Sequence, residues 1–303
     1  MKKFLKKFLA VYLCLCIIGT VGVLAAGNEI YEYSLLRKNK VGYTSVQKKR
    51  WISKNGESIY ITSEDGLKLH AHLKENPEAK GKYAIICHGG SGNATTVTDW
   101  TKGFYDIGFS VLCPNARAHG KSEGNVKGMG YLERRDIVLW ANEIIRRDPS
   151  AQILLFGISV GGSTVLFASG EQDLPENVRA VVSDCAFTTV YKEFGNVIRR
   201  YVPFLPDFPV VDGISLMCKI RGGYSFREAS CIEAVKKSVT PTLFIHGTAD
   251  TKIPFDMLET LYDNASCPKE KLVIEGADHV KSLSTDPELY WKTVNEFISN
   301  YFI

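Results

Sequence analysis

Ile153-Leu154-Leu155-Phe156-Gly157-Ile158-Ser159-Val160-Gly161 joins an apolar run to a helical pattern through a glycine-flanked serine, and the architecture of the chain turns on it. Its first four residues form an apolar run of strand length, and the residues from Gly161 to Ser169 carry helical spacing. Between them stands Gly-x-Ser-x-Gly. A glycine-flanked serine alone is a weak pattern, but a serine on the sharp turn between a buried strand and a helix is presented at the edge of a sheet. The glycines are needed because such a turn crowds neighbouring backbone against the serine.

On either side of this turn, short β-rich runs alternate with helical patterns, as in a mostly parallel sheet covered by helices. Ser58–Thr62 and Leu67–Lys74, separated by Glu64-Asp65-Gly66, read as an opening hairpin. Buried-looking runs follow at Tyr83–Cys87, Ser110–Cys113, Ala180–Ser183, Thr242–Ile245 and Leu272–Ile274. Helices are expected over Thr95–Ile107, Tyr131–Arg147, Phe255–Asn264 and Pro287–Tyr301. The alternation breaks between residues 188 and 238, where Pro203, Pro206 and Pro209 lie among aromatics, and this interval reads as a helical lid inserted over the ligand-binding edge. Residues 58–303 thus form one α/β domain, and residues 28–57 read as a linker.

A serine hydroxyl becomes a useful nucleophile only when a base takes its proton and a buried carboxylate orients that base. With the serine on a strand–helix elbow, the acid and then the histidine follow it in the chain. Only His246 and His279 come after Ser159. His279 lies in a loop after the last strand, whereas His246 ends a strand and is expected to shape a turn. Asp250 occupies the loop after the preceding strand. Its rivals are Asp278, too close to His279 in sequence to face its ring, and Asp256, a first-turn helix residue. The backbone N–H groups of Gly90 and Val160 are the candidate oxyanion hole, with Ser91 as the alternative to Gly90. His88 is assigned to the turn, and His119 with Arg117 to a loop beside the site. His70 and His72 lack a third metal ligand and are expected on the surface; Cys87, Cys113 and Cys185 are expected as buried strand cysteines. Tyr201, Phe204, Phe208 and Met217 are expected to be packing residues of the lid for the most part, with an acyl pocket as the alternative.

Together these motifs resemble a bacterial α/β-hydrolase of the serine-aminopeptidase-like or dienelactone-hydrolase-like branch, including its membrane-anchored members. The resemblance runs from about Ser58 to the C-terminus. It rests on His88-Gly89-Gly90, Arg117-Ala118-His119-Gly120-Lys121-Ser122, Gly128-Met129-Gly130, the elbow at Ser159, His246-Gly247 with Asp250, and the loop of His279. Asn115, Val160 and Val280 depart from it, standing where relatives often carry Asp, Met and Gly. The expected chemistry is cleavage of an ester, thioester or amide of a small-molecule acyl substrate through an acyl-enzyme, with no cofactor and no metal. Acyl transfer, peptidase activity and a catalytically silent tethered binding protein stay open at this point.

The chain has 303 residues, 45% of them hydrophobic, which is ample for one sizeable core. Its 37 basic residues include Lys2, Lys3, Lys6 and Lys7; without these four the chain has 33 basic against 33 acidic residues. No basic face for nucleic acid is implied. Behind the lysines, Phe8–Gly27 is an uncharged apolar stretch of 20 residues, long enough to span a bilayer. A retained anchor with the domain outside the membrane is therefore expected; cleavage near Val23-Leu24-Ala25 is the alternative and would give a secreted protein.

Overall fold

Apolar runs too short for helices and lacking polar alternation pair most readily as strands buried on both faces. The computed structural model, which describes residues 19–36 and 51–302, joins eight of them in one sheet. In chain order the strands are β1 (Glu57–Thr62), β2 (Lys68–Lys74), β3 (Lys82–Cys87), β4 (Ser110–Pro114), β5 (Gln152–Ile158), β6 (Val178–Asp184), β7 (Thr242–Gly247) and β8 (Lys269–Ile274). Their spatial order is β1-β2-β4-β3-β5-β6-β7-β8. β2 pairs antiparallel with β1 and β4, and all remaining pairs are parallel.

The period of two along a strand sorts side chains to opposite faces. On β5, Ile153 and Leu155 enter one hydrophobic cluster, whereas Leu154, Phe156 and Ile158 enter the other. The first cluster is closed by α4 (Glu133–Arg147), α5 (Val160–Ser169), α8 (Cys231–Lys237) and α9 (Asp256–Asn264) through residues such as Trp140, Val165, Val235 and Leu258. The second is closed by α3 (Thr98–Asp106) and α11 (Pro287–Ser299), chiefly through Phe104, Tyr290 and Phe297. A short α2 (Trp51–Asn55) and α10 (Ser282–Thr285) complete the set around the sheet.

Two further elements lie on the elbow side of the domain. α6 (Val190–Tyr201) and α7 (Asp207–Gly222) come between β6 and β7, within the interval expected as an insertion. A helix α1, described over residues 19–34, packs on α7. Part of the stretch expected as linker is therefore helical. Tyr31 and Leu35, one turn apart, are fully buried, and a Cβ on Gly27 would meet the Gly213 carbonyl carbon at 2.8 Å. Glycine at both positions lets the two backbones approach. Among the described residues no helix is long and apolar enough to cross a membrane; most of the stretch Phe8–Gly27 lies outside them.

Candidate active site

β3 and β5 are neighbours in space, while the connections leaving them run to opposite sides of the sheet: from β3 to β4, and from β5 to β6. At such a switch point a crevice opens at the carboxyl ends of the strands. The loop His88–Gly92 leaves β3 there, and Ser159 follows β5 directly. Ser159 adopts φ 54° and ψ −124°, a conformation foreign to most L-residues that costs of the order of 1–3 kcal/mol. Its N–H donates to the Asp184 carbonyl at 2.8 Å, and the glycines on either side explain how the turn closes. A Cβ on Gly157 would lie 2.0 Å from the Gly161 oxygen, and one on Gly161 would lie 2.2 Å from the Cys87 oxygen.

Two loops bring polar groups to the serine. His279, in the loop after β8, has Nε2 2.9 Å from Ser159 Oγ and Nδ1 2.7 Å from Asp250 Oδ2. Asp250 lies in the loop after β7, where its other oxygen accepts the N–H groups of Lys252 at 2.8 Å and Ile253 at 2.9 Å. Burial works against ionisation of this carboxyl. The hydrogen bonds with His246 and His279 and from the Ile253 backbone outweigh it and hold Asp250 well below the usual carboxylate range. Asp278 instead accepts the backbone N–H of His279 at 2.6 Å, fixing the loop rather than the ring. Val280 follows in the left-handed region with φ 59°.

His246 does more than shape a turn. Its Nε2 lies 2.9 Å from the Ile253 carbonyl and 3.3 Å from Asp250 Oδ2, so it braces the acid loop. The signal was available as the four-residue spacing from His246 to Asp250.

The oxyanion candidates come together with the serine. A Cβ on Gly89 would sit 3.4 Å from Ser159 Cβ, and one on Gly90 would sit 2.9 Å from a Val160 methyl. His119 holds this loop, with Nε2 2.9 Å from the Gly90 carbonyl and Nδ1 2.9 Å from the Arg117 carbonyl. Burial and the nearby His119 push His88 down to about 3, so its ring is neutral. Its Nδ1–H donates to the Gly89 carbonyl at 2.8 Å and its Nε2 accepts the Ala116 N–H at 3.1 Å. Arg117 grips Asp136 with two bonds, at 3.0 and 2.7 Å, and reaches Asp65 at 2.8 Å. Removing one partner of a buried pair of this kind costs about 3–5 kcal/mol.

Other expectations are corrected. His70 and His72 are buried, not on the surface. Burial, with His72 and Lys121 adding, pushes His70 down to about 4. Its neutral ring accepts from Asn115 Nδ2 at 2.6 Å and donates to Ser58 Oγ at 3.1 Å, and Asn115 accepts the Ala94 N–H at 2.9 Å. An amide at 115 suits this uncharged pairing, whereas a carboxylate would draw a proton onto His70. Met217 packs against the core, but Tyr201, Phe204 and Phe208 are 81%, 86% and 72% exposed, which contradicts their expected role in packing. Cys185 is buried as expected, and its Sγ, one Asp250 oxygen and one His279 nitrogen lie within 4.8 Å of one another. The hydrogen bond between His279 and Asp250 already engages that pair. A cleft of about 870 Å³ lies far from Ser159, lined by Ser169, Val178 and Pro241 at the opposite strand ends.

A serine on a strained strand–helix turn, faced by a histidine and a buried aspartate from the last two strand loops, defines an α/β-hydrolase architecture. A family model described as alpha/beta hydrolase fold matches residues 85–209. The Bacillus subtilis protein YqkD is 30% identical over 221 residues, which cover 71% of this chain and 70% of that protein. The chain therefore belongs to the α/β-hydrolase family. The membrane protein YNL320W of Saccharomyces cerevisiae is 26% identical over 80% of this chain and 79% of its own length. The Pyrococcus furiosus esterase Pf2001 superposes with a TM-score of 0.71 at 22% identity, over 89% of this chain and 99% of that one.

Proposed function

We propose that this protein is a membrane-tethered serine hydrolase that cleaves carboxylic esters through an acyl-enzyme. The observation that carries the reading is the hydrogen-bonded line from Ser159 Oγ through His279 to Asp250, at 2.9 and 2.7 Å. In this reading His279 Nε2 takes the Ser159 proton as Oγ attacks the acyl carbonyl. The N–H groups of Gly90 and Val160 receive the developing oxyanion, which in comparable sites contributes about 3–4 kcal/mol per donor. The imidazolium, steadied by Asp250, then protonates the leaving oxygen. Water, activated by the same imidazole, attacks the acyl-enzyme and releases the acid. Thioesters and amides follow the same route with a different leaving atom. The tether is the apolar stretch that begins at Phe8, whose last residues, Val23 to Gly27, already lie on α7, with the domain outside the membrane; the printed description of YNL320W as a membrane protein supports it.

The test is labelling of the full chain, in detergent and in vesicles, with a fluorophosphonate. Native protein is expected to label, and Ser159→Ala and His279→Ala to be blank. Asp250→Asn, which presents the wrong histidine tautomer, is expected to lower kcat on aryl esters by about four orders of magnitude. A folded native chain that neither labels nor hydrolyses esters of any acyl length would make the protein a tethered binding protein.

A further inference from the structure

We propose that the turn joining α6 and α7, with Tyr201, Phe204 and Phe208 at its surface, is a membrane-contacting surface that seats in the headgroup region of a phospholipid bilayer, so that the active site opens against the lipid. The proposal rests on the tethered-hydrolase reading and extends it to where the substrate comes from: an acyl ester dissolved in the bilayer.

Three aromatics within eight residues, each more than 70% exposed, are unusual on a surface that meets only water. Tyrosine and phenylalanine beside cations are what the headgroup region selects. Arg200 and Lys252 are exposed next to this turn, with Arg200 Nη2 donating to the Lys252 carbonyl at 2.9 Å. Both are placed to meet anionic lipid.

The path of α1 identifies the occupant. Val23 and Gly27 pack on Gly213, while Tyr31 packs beside Gly222 and Glu32 pairs with Arg221 at 2.8 Å. Contacts that advance together along both helices make α1 and α7 parallel. Moving toward the N-termini, the helical step from Gly213 to Pro209, next to the kink at Phe208, covers about 6 Å of axis, and an equal step from the Val23–Gly27 contact reaches residues 19–22. These residues are exposed, Val21 among them. The uncharged sequence of Phe8–Gly27 thus joins the domain at the same end as the exposed aromatic turn. A tether that enters a bilayer there brings the turn to the lipid surface.

The same turn abuts the site. Lys252, held by Arg200, donates its N–H to Asp250 Oδ1, so the lipid-facing end of α6 is one residue contact from the loop that orients His279. An ester leaving the bilayer at this edge would travel only a short distance to Ser159.

The proposal is tested with the full chain in vesicles of phosphatidylcholine and phosphatidylglycerol. Tryptophan is introduced in Phe204→Trp, and as a control in Tyr60→Trp on β1. Brominated lipid is expected to quench the emission added at 204 and to leave that at 60 unchanged. A second measurement uses the Y201S/F204S/F208S variant. It is expected to float with vesicles as the native chain does, keep its hydrolysis of a water-soluble ester within about twofold, and lose about tenfold in kcat/KM toward an ester carried in the vesicle. A chain that floats but shows no quenching at 204, or a triple variant as active on the vesicle-borne ester as the native chain, overturns the lipid-facing turn and leaves the tether standing. A chain that stays in the soluble fraction overturns both. Loss of activity on the water-soluble ester in Ser159→Ala tests the hydrolase reading separately.

Discussion

Gly161 shows most sharply how one residue type is imposed by the geometry of the elbow. Any larger residue there places a carbon 2.2 Å from the Cys87 oxygen and 2.7 Å from the His88 oxygen. Both are backbone atoms at the end of β3, so neither can swing aside as a flexible side chain would. Gly161→Ala must therefore push the loop that leaves β3, with Gly90 in it, away from Ser159. The expected outcome is destabilisation by about 1–3 kcal/mol, seen in thermal melts. A loss of at least about 100-fold in ester kcat should accompany it, because a displacement near 1 Å suffices for that. Val280 is the converse case: a β-branched residue is held at φ 59°, a region that Gly occupies more readily, because its loop is fixed on both sides. Asp278 accepts the His279 and Lys281 N–H groups, through its carboxylate and carbonyl respectively, and the Val280 side chain packs on the second core cluster.

Among the elements, strands and the helices that follow them were largely legible because each carries its own signal. The apolar runs at Tyr83–Cys87 and Thr242–Ile245 fall inside β3 and β7, and Pro287 opens α11. Ser159, Asp250 and His279 could be picked out because each stands just after a strand and the chain order of such a site is restricted. What escaped depends on partners distant in sequence. His70 reads as an ordinary strand residue until Asn115 and Ser58 close around it, and His246 reads as a turn residue until the loop that follows β7 folds back over it. The packing of α1 on α7 escaped for the same reason, since Gly27 looks like the end of an apolar stretch and acquires its purpose only opposite Gly213. That contact can be tested directly. A Cβ at Gly213 would meet a Val23 methyl at 2.8 Å, so Gly213→Leu is expected to lift α1 from α7 at a cost of about 1–3 kcal/mol. Hydrogen exchange should then accelerate over residues 23–35, while hydrolysis of a water-soluble ester is retained.

Across the whole molecule, buried titratable groups pull stability in opposite directions with pH. His70 and His88 are held neutral by burial, at about 4 and about 3. The unfolded chain takes up their protons below about 6.5, so their effect is to make stability rise with pH toward neutrality. Asp184 and Glu193 act the other way, since burial lifts them to about 6 and about 7. In that interval the folded chain keeps protons that the unfolded chain releases, and stability falls as pH rises from about 4 to about 7. The two sets oppose each other, so the native curve alone would not reveal either one; a difference curve does. Glu193 is the group to remove, because its buried Oε2 has no hydrogen-bond partner among the described residues and the Asp250 carboxylate adds to its penalty while Arg200 partly relieves it. Glu193→Gln keeps the size and abolishes the charge. Relative to the native chain its unfolding free energy is expected to be unchanged near pH 4, to climb through the interval up to about 7, and to level off about 3 kcal/mol higher at pH 8. Denaturant melts of both proteins across this range measure the difference. A flat difference would mean that Glu193 ionises freely in the fold, and a falling one that its carboxylate is stabilised there.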